Sequence, residues 1–483
     1  MSMSKLNKIL QRNQVYFAQG SGTILLGAIE TDLVHEFLEL VPAEHTFAVY
    51  TNQAYTLLHA VQLVARQGYK VWANLILNKD NVNILDHKKE SFKLPLNLEK
   101  ESIFSLSQGQ TLKQKSIYFA YGTDLNLVQE KLSSKWQEQQ LNLIESLEQL
   151  PLRVGKDKVD LQPSPLAQLW KLTKATNLVV FWPKSKEEFL NLVQEIKAAK
   201  EQLEDLDLSQ VKIFFVGTND SGIKTIESLL ATPVRQLDNV ARCRLFYSSA
   251  ELEPSQKLLE KSKYTDFSLA SRKIVTLPGV FSSDALDLGT KLLLETYQDF
   301  GAEHNQHLHK LFQNYNKEFD PQVTNPNLNF LDYASGAGVI SQYLASLFKS
   351  KLTNPQVKQN WDLIEVHAPA LICSSLNLQE LAQEQVNFNL QAADSLEQAL
   401  ANGMPAVFYR EIVSNPPFHQ GNEVTFRVTE NLIAQARQRL HPQGALRLVA
   451  NSGLPYMQIL TKYFSNINII AKANGFTVYL ARI

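Results

Sequence analysis

The stretch Ile412-Val413-Ser414-Asn415-Pro416-Pro417-Phe418-His419 constrains this chain more than any other. Two prolines fix two successive φ angles and remove two N–H donors. The residue before each proline is pushed away from helix. A short apolar strand must therefore run into a stiff, extended turn. That turn holds an Asn amide, a backbone carbonyl and a flat ring in fixed relation. An exocyclic amino group needs this combination: the Asn415 side-chain oxygen and the Pro416 carbonyl accept its two N–H bonds, and the base lies against Phe418. Taken alone, the same residues also read as a proline-rich surface turn with a capping Asn.

A second signal lies upstream. Asn329-Phe330-Leu331-Asp332-Tyr333-Ala334-Ser335-Gly336-Ala337-Gly338-Val339-Ile340 reads as strand, tight glycine turn, helix. Glycines let a backbone approach a ligand closely, and the turn delivers it to a helix N-terminus. Leu363-Ile364-Glu365-Val366 then ends a second strand with an acid, where a carboxylate can accept from both hydroxyls of a ribose. Residues 368 to about 387 read as a helix. Ala392-Ala393-Asp394 ends a third strand, with Asp394 placed to hold an adenine amino group. Residues 408–413 form the fourth and lead into Asn415. Each landmark sits at the carboxyl end of a strand, where open α/β sheets bind ligands. Leu446-Arg447-Leu448-Val449-Ala450 and Phe476-Thr477-Val478-Tyr479-Leu480 supply closing strands.

With 483 residues, the chain is too long for one ordinary core. Two domains are expected, at 1–265, with an insertion at about 82–166, and at 266–483. In the first, Gln14-Val15-Tyr16-Phe17-Ala18, Phe47-Ala48-Val49-Tyr50 and Val71-Trp72-Ala73-Asn74-Leu75 read as strands, and residues 57–66 and 124–147 as helices. Asn177-Leu178-Val179-Val180-Phe181-Trp182 and Val211-Lys212-Ile213-Phe214-Phe215-Val216 are buried strands flanking a charged helix at 186–204. The loop Gly217-Thr218-Asn219-Asp220-Ser221-Gly222 resembles a nucleotide-binding turn, but the rest of that fingerprint is missing. Residues 284–296 read as a helix. Residues 300–328 read as a polar, irregular insertion. Its His304, His307 and His309 fit no common ligand set, so no metal is expected.

The other function classes narrow quickly. Lys+Arg 47 against Asp+Glu 48 leaves a net charge of −1, which weakens any case for non-specific nucleic-acid binding. No apolar run approaches the roughly 18 residues of a membrane span. The polar N-terminus has no signal core, and a cytoplasmic location is expected. Two cysteines, Cys243 and Cys373, make no disulfide framework.

These residues resemble one family, the bacterial 16S ribosomal RNA guanine-N2 methyltransferases. Asn415-Pro-Pro-Phe-His419 with Gln420-Gly421, Leu277-Pro-Gly-Val-Phe-Ser282 with Asp284, Leu286-Asp287 and Gly289, and Leu446-Arg-Leu-Val-Ala-Asn451 with Leu454-Pro-Tyr456 carry the likeness. Trp182-Pro183-Lys184, residues 217–222 and Ala241-Arg242-Cys243 extend it into the first half. The resemblance implies an α/β chain of two tandem Rossmann-like class I methyltransferase domains, the N-terminal one degenerate and the C-terminal one catalytic. It implies S-adenosylmethionine as cofactor, held by Asp332, Ala334, Gly336, Gly338, Glu365 and Asp394. It implies catalysis by Asn415, Pro416, Pro417 and Phe418, with Phe418 and Phe281 against the base. The partner would be ribosomal RNA within the small subunit, met by a monomer. Three alternatives stay open: a guanine of 23S ribosomal RNA; a protein glutamine amide or a DNA adenine, although enzymes of that kind usually carry Tyr or Trp in place of Phe418 and lack the 277–282 segment; and a non-catalytic RNA-binding or assembly protein. The family's first turn glycine is Ala334 here, at a cost of about 1–2 kcal/mol if φ is positive and near zero if it is negative. His419 is an open candidate for a base. The chain also carries extra residues near 85–165, 301–328 and 398–406.

Overall fold

The computed structural model describes residues 5–27, 29, 31–52, 70–73, 75–77, 83–85, 91–93, 116–121, 159–161, 166–183, 185–203, 206–255, 265–269, 272–277, 279–282, 285–317, 327–382, 385–393, 395–401, 404–416 and 423–483. The chain divides into two compact units, the second built mainly from residues 265–276 and 280–483.

The first unit holds an eight-stranded sheet. Its strands are β1 (Gly22–Gly27), β2 (Thr46–Thr51), β3 (Lys70–Ala73), β4 (Ser116–Tyr121), β5 (Asn177–Phe181), β6 (Lys212–Thr218), β7 (Arg235–Val240) and β8 (Cys243–Ser249). The order is β7-β8-β6-β5-β1-β2-β4-β3. β8 runs antiparallel to β6 and β7; the other neighbours are parallel. β1 is buried at every position and β5 likewise, as a strand covered on both faces must be. The helix α1 (Lys186–Glu201) starts at Ser185, whose side chain accepts from the Glu188 N–H. It buries Phe189, Leu190, Val193 and Ile196 against the sheet.

One expected strand is different. Gln14–Phe17 is a short helix, and the first strand lies later, at Gly22–Gly27. Thr23-Ile24-Leu25-Leu26 pairs on both sides with β2 and β5, whereas only Phe17 of the earlier run is buried, in an aromatic cluster with Phe37 and Phe214. The helices expected at 57–66 and 124–147 lie outside the described residues, as does most of the expected insertion at 82–166.

The second unit opens with a hairpin, β9 (Thr265–Leu269) and β10 (Arg272–Thr276), and the helix α2 (Leu288–Glu295). The helix α3 (Gln306–Asn316) follows. Its sheet has seven strands: β11 (Asn327–Tyr333), β12 (Lys358–Glu365), β13 (Val386–Ala392), β14 (Tyr409–Ser414), β15 (Leu440–Asn451), β16 (Asn466–Ala473) and β17 (Phe476–Arg482). The order is β13-β12-β11-β14-β15-β17-β16, with β17 antiparallel to both neighbours. The order reverses direction between β11 and β14, which is the switch point where such sheets open a crevice. The helix α4 (Val339–Lys351) follows β11, and α5 (Ala368–Leu378) follows β12.

Residues 300–328 are not an irregular insertion throughout. Residues 306–316 are α3, and Leu308, Phe312 and Tyr315 are buried at helical spacing. Phe312 packs on Phe300 and Phe348, extending a cluster that runs on to Phe330 and Trp361. The stretch near 398–406 also enters the core, through Ala399 and Met404. The helix expected over 368–387 stops at Leu378, because β13 needs the extended chain from Val386.

Candidate functional site

Register brings the landmarks to one level. Tyr333 pairs with Ile364 on one side and with Ser414 on the other, and Glu365 pairs with Ala392. The chain therefore leaves β11, β12, β13 and β14 side by side along one edge. The Ser414 hydroxyl donates to the Tyr333 carbonyl at 2.7 Å, tying the two strands that flank the switch point.

The turn after β11 is wound left-handed. Ala334 has φ 59°, Gly336 φ 54° and Gly338 φ 74°. Ala334 therefore takes the costly alternative, at about 1–2 kcal/mol, because its Cβ crowds the carbonyl in that region. Ser335 N–H donates to the Ile364 carbonyl, and Gly338 N–H to that of Ser335. A side chain added at Gly336 would meet nothing within 4 Å, so the turn borders open space there. At Gly338 it would press on Ser374 of α5, whose hydroxyl donates to the Gly336 carbonyl.

Two acids stand beside this turn. Glu365 Oε2 accepts from the Gly336 N–H at 2.9 Å, and Oε1 from the Val366 and His367 N–H groups. Three of its roughly four lone-pair sites are thus used, and one remains on Oε2. Asp332 is fully buried. Its Oδ2 accepts from the N–H and the hydroxyl of Ser341, at the start of α4, at 3.1 and 2.7 Å. Its Oδ1 is buried with no hydrogen-bond partner, and so is the Ser335 hydroxyl oxygen. Burial pushes the Asp332 carboxyl up to about 7; the Ser341 hydrogen bonds oppose this and the Glu365 charge adds to it.

Asn415 is half-buried and Pro416 buried. The Asn415 Nδ2 donates to Asp287 Oδ2 at 3.1 Å and to Thr290 Oγ1 at 2.8 Å. Asp287 caps α2 by accepting from the Thr290 N–H. Both amide hydrogens are therefore used. The Asn415 Oδ1 is left buried and without a partner. Phe281 is 61% exposed and Leu288 52%. Asp394, Pro417, Phe418 and His419 lie outside the described residues.

A buried charge network stands behind Asn415. Glu411, on β14, and Arg447, on β15, are both fully buried, with Arg447 Nε 3.1 Å from Glu411 Oε1. Arg447 also donates to Thr296 Oγ1 and Asn305 Oδ1, and lies over the Tyr297 ring. Tyr297 donates to Glu411 Oε1, and His307 lies 2.7 Å from Oε2. Burial alone would raise Glu411. Arg447 and His307, with the His307 and Tyr297 hydrogen bonds, outweigh it and hold the carboxyl below its ordinary range. His304 meets the Thr296 carbonyl. No three His, Cys, Asp or Glu among the described residues could hold a metal ion.

Sequence reasoning missed Asp287, Thr290, Glu411 and Arg447 as parts of this site. Asp287-Leu-Gly-Thr290 carries the signal of a helix cap, but nothing in it says that the cap faces Asn415, 128 residues away. The loop at 217–222 follows β6 instead of the first strand, and its groups are satisfied locally: Ser221 bonds the Thr218 carbonyl, and Asn219 accepts from Arg244.

The residues around the turn fit S-adenosylmethionine. Unpaired carboxylate and hydroxyl oxygens suit a ligand with ammonium and ribose groups, and the open face at Gly336 gives it room. A family described as Methyltransferase small domain matches residues 314–480, and its companion, Methyltransferase small domain N-terminal, matches residues 108–265. A Ribosomal RNA small subunit methyltransferase C from Photorhabdus laumondii is 31% identical over 306 residues, covering 63% of this chain and 75% of the relative. The protein of the same name from Actinobacillus pleuropneumoniae serotype 7 is 33% identical over 313 residues, covering 64% and 80%. A 16S rRNA N2 methyltransferase of T. thermophilus, solved in complex with AdoMet and guanosine, aligns at 20% identity and a TM-score of 0.43 over 64% of this chain and 72% of that one.

Proposed function

The chain belongs to the ribosomal RNA small subunit methyltransferase C family, and from that premise we propose that it methylates the exocyclic N2 of a guanine in 16S ribosomal RNA. The observation that carries the reading is the Asn415 amide, whose donors are both engaged and whose buried Oδ1 is free to accept. When bound, S-adenosylmethionine supplies an activated methyl group on a cationic sulfur. Asp332, Glu365 and the turn from Ala334 to Gly338 would hold it, with Asp394 at the adenine.

The amino nitrogen of guanine is a poor nucleophile, because its lone pair is delocalised into the ring. Asn415 Oδ1 accepts one of its N–H bonds and the Pro416 carbonyl the other. Both draw the nitrogen toward tetrahedral geometry and aim its lone pair. No strong base is required for this, and the extra proton leaves after attack. Most of the acceleration then comes from positioning. The base must be unstacked to enter. Phe418 stacks on it, and Phe281 covers the site. Action as a cytoplasmic monomer, on RNA within the small subunit, is part of the same proposal. Among the described residues no helix is long and apolar enough to cross a membrane.

The test is methyl transfer from labelled S-adenosylmethionine to small and large ribosomal subunits from cells lacking the protein. N2-methylguanosine in the small-subunit RNA is the expected product. The same nucleoside in the large subunit would move the target and keep the chemistry. Absence of both label and cofactor binding would mean that Ala334 marks a turn that has stopped working.

A further inference from the structure

We propose that Asp287 and Thr290 are positioning residues that fix the polarity of the Asn415 amide, and so make the site selective for an attacking nitrogen that carries hydrogen. This rests on the reading that Asn415 grips the substrate amino group. A side-chain amide is nearly symmetric in shape, and rotation by a half-turn exchanges its acceptor for a donor. What decides between the two orientations is the partner. Asp287 offers a carboxylate oxygen, an acceptor only, 3.1 Å from the amide. Turning the Asn415 oxygen toward it would set two lone pairs against each other, so the NH2 group faces Asp287. Thr290 Oγ1, at 2.8 Å, takes the second hydrogen.

Both partners sit at the start of one helix, and that helix is itself held. The Thr290 N–H donates to the same Asp287 Oδ2. Gly289 packs against the Phe476 ring. Just past the far end of α2, Thr296 accepts from the buried Arg447, and Tyr297 donates to the buried Glu411. Glu411 lies on β14, the strand that delivers Asn415. The clamp and the residue it clamps are thus tied to one network, which removes their freedom to shift independently. The consequence is chemical. A guanine amino group presents hydrogen to Oδ1 and is accepted. A keto oxygen or bare ring nitrogen presents a lone pair and is repelled.

The experiment uses the full chain, S-adenosylmethionine and small subunits from cells lacking the protein. Asp287→Asn keeps an equally good helix cap but adds a donor beside the amide. Thr290→Val keeps the shape and removes the acceptor, while Thr290→Ser restores it. Asp287→Asn and Thr290→Val are each expected to lower kcat by about 10- to 100-fold, with cofactor Kd and the KM for RNA within about threefold of the parent. Thr290→Ser is expected to stay within about threefold on every count. A merely structural role would not separate kcat from KM, nor distinguish Val from Ser. Parental kcat in both Asp287→Asn and Thr290→Val, in a protein that Asn415→Ala inactivates, would overturn the clamp and leave the function standing. Unchanged turnover in Asn415→Ala would overturn the reading of Asn415 and the clamp with it.

Discussion

The two units use one strand order and carry different edges. Read from the third-position strand inward, the first runs β4-β2-β1-β5-β6-β8-β7 with β3 added outside, and the second runs β13-β12-β11-β14-β15-β17-β16. Three strand ends tell them apart. After the first strand, the C-terminal unit has the left-handed turn at Ala334, Gly336 and Gly338. The N-terminal unit ends its first strand at Gly27, also left-handed at φ 91°, where an added side chain would collide with the Phe181 carbonyl of the neighbouring β5. At the end of the second strand the C-terminal unit has Glu365, and the N-terminal unit has the buried Thr51 in the corresponding position. After the fourth, the C-terminal unit has Asn415-Pro416 and the N-terminal unit has Trp182-Pro183 in the corresponding position. Trp182 is buried and stacks on Phe189 at 4.4 Å, so aromatic rings fill the place that polar groups line in the other unit. The shared sheet specifies neither outcome; the residues at its edge do.

The largest effect that would sharpen this contrast is in the N-terminal unit. Trp182→Ala should leave a cavity and cost about 3–5 kcal/mol, read by denaturant unfolding. Cofactor affinity, read by calorimetry, should not change. A loss of cofactor binding without a loss of stability would break the division of roles.

Next in size is a pH effect confined to the C-terminal unit. The Asp332 carboxyl is raised from 3.8 to about 7. For folding, its contribution is therefore full below about 3.8 and is lost as the pH rises through about 7. For a cationic ligand the sign is opposite, since only the carboxylate attracts it. Cofactor affinity should weaken by up to about tenfold per pH unit below 7. Asp332→Asn should bind more weakly and flatten the profile. A flat profile in the parent would remove Asp332 from the cofactor site.

The smallest effect is at Ala334. Its φ of 59° suits glycine, and Ala334→Gly should stabilise the unit by about 1 kcal/mol or less, since the relief is partly offset by a freer unfolded chain. An unchanged or lower melting temperature would mean that neighbouring contacts already compensate the strain.

Much of this was legible in the sequence because strands buried on both faces announce themselves. Asn177–Phe181, Lys212–Thr218, Asn327–Tyr333 and Tyr409–Ser414 lie within a few residues of where the apolar runs place them, and Lys358–Glu365 and Val386–Ala392 end close to the acids that mark their ends. The same rule failed at Gln14–Phe17, where an apolar run is too weakly buried to be a strand. It failed again at Gln306–Asn316, where a polar composition hid the stripe of Leu308, Phe312 and Tyr315. Asn415 was visible as a motif, but its orientation was not. That depends on Asp287 and Thr290, which only the tertiary fold brings to it, and on the buried pair of Glu411 and Arg447, which no local pattern connects.

The central claim is that the chemistry depends on the Asn415 oxygen while the cofactor is held elsewhere on the same edge. The direct measurement is Asn415→Ala, with S-adenosylmethionine Kd and methyl transfer to small subunits determined on one preparation. The account predicts a Kd within about threefold of the parent and a kcat lower by about 10²- to 10³-fold, the loss typical of removing one preorganised hydrogen-bonding group. Parental turnover with intact cofactor binding would contradict it.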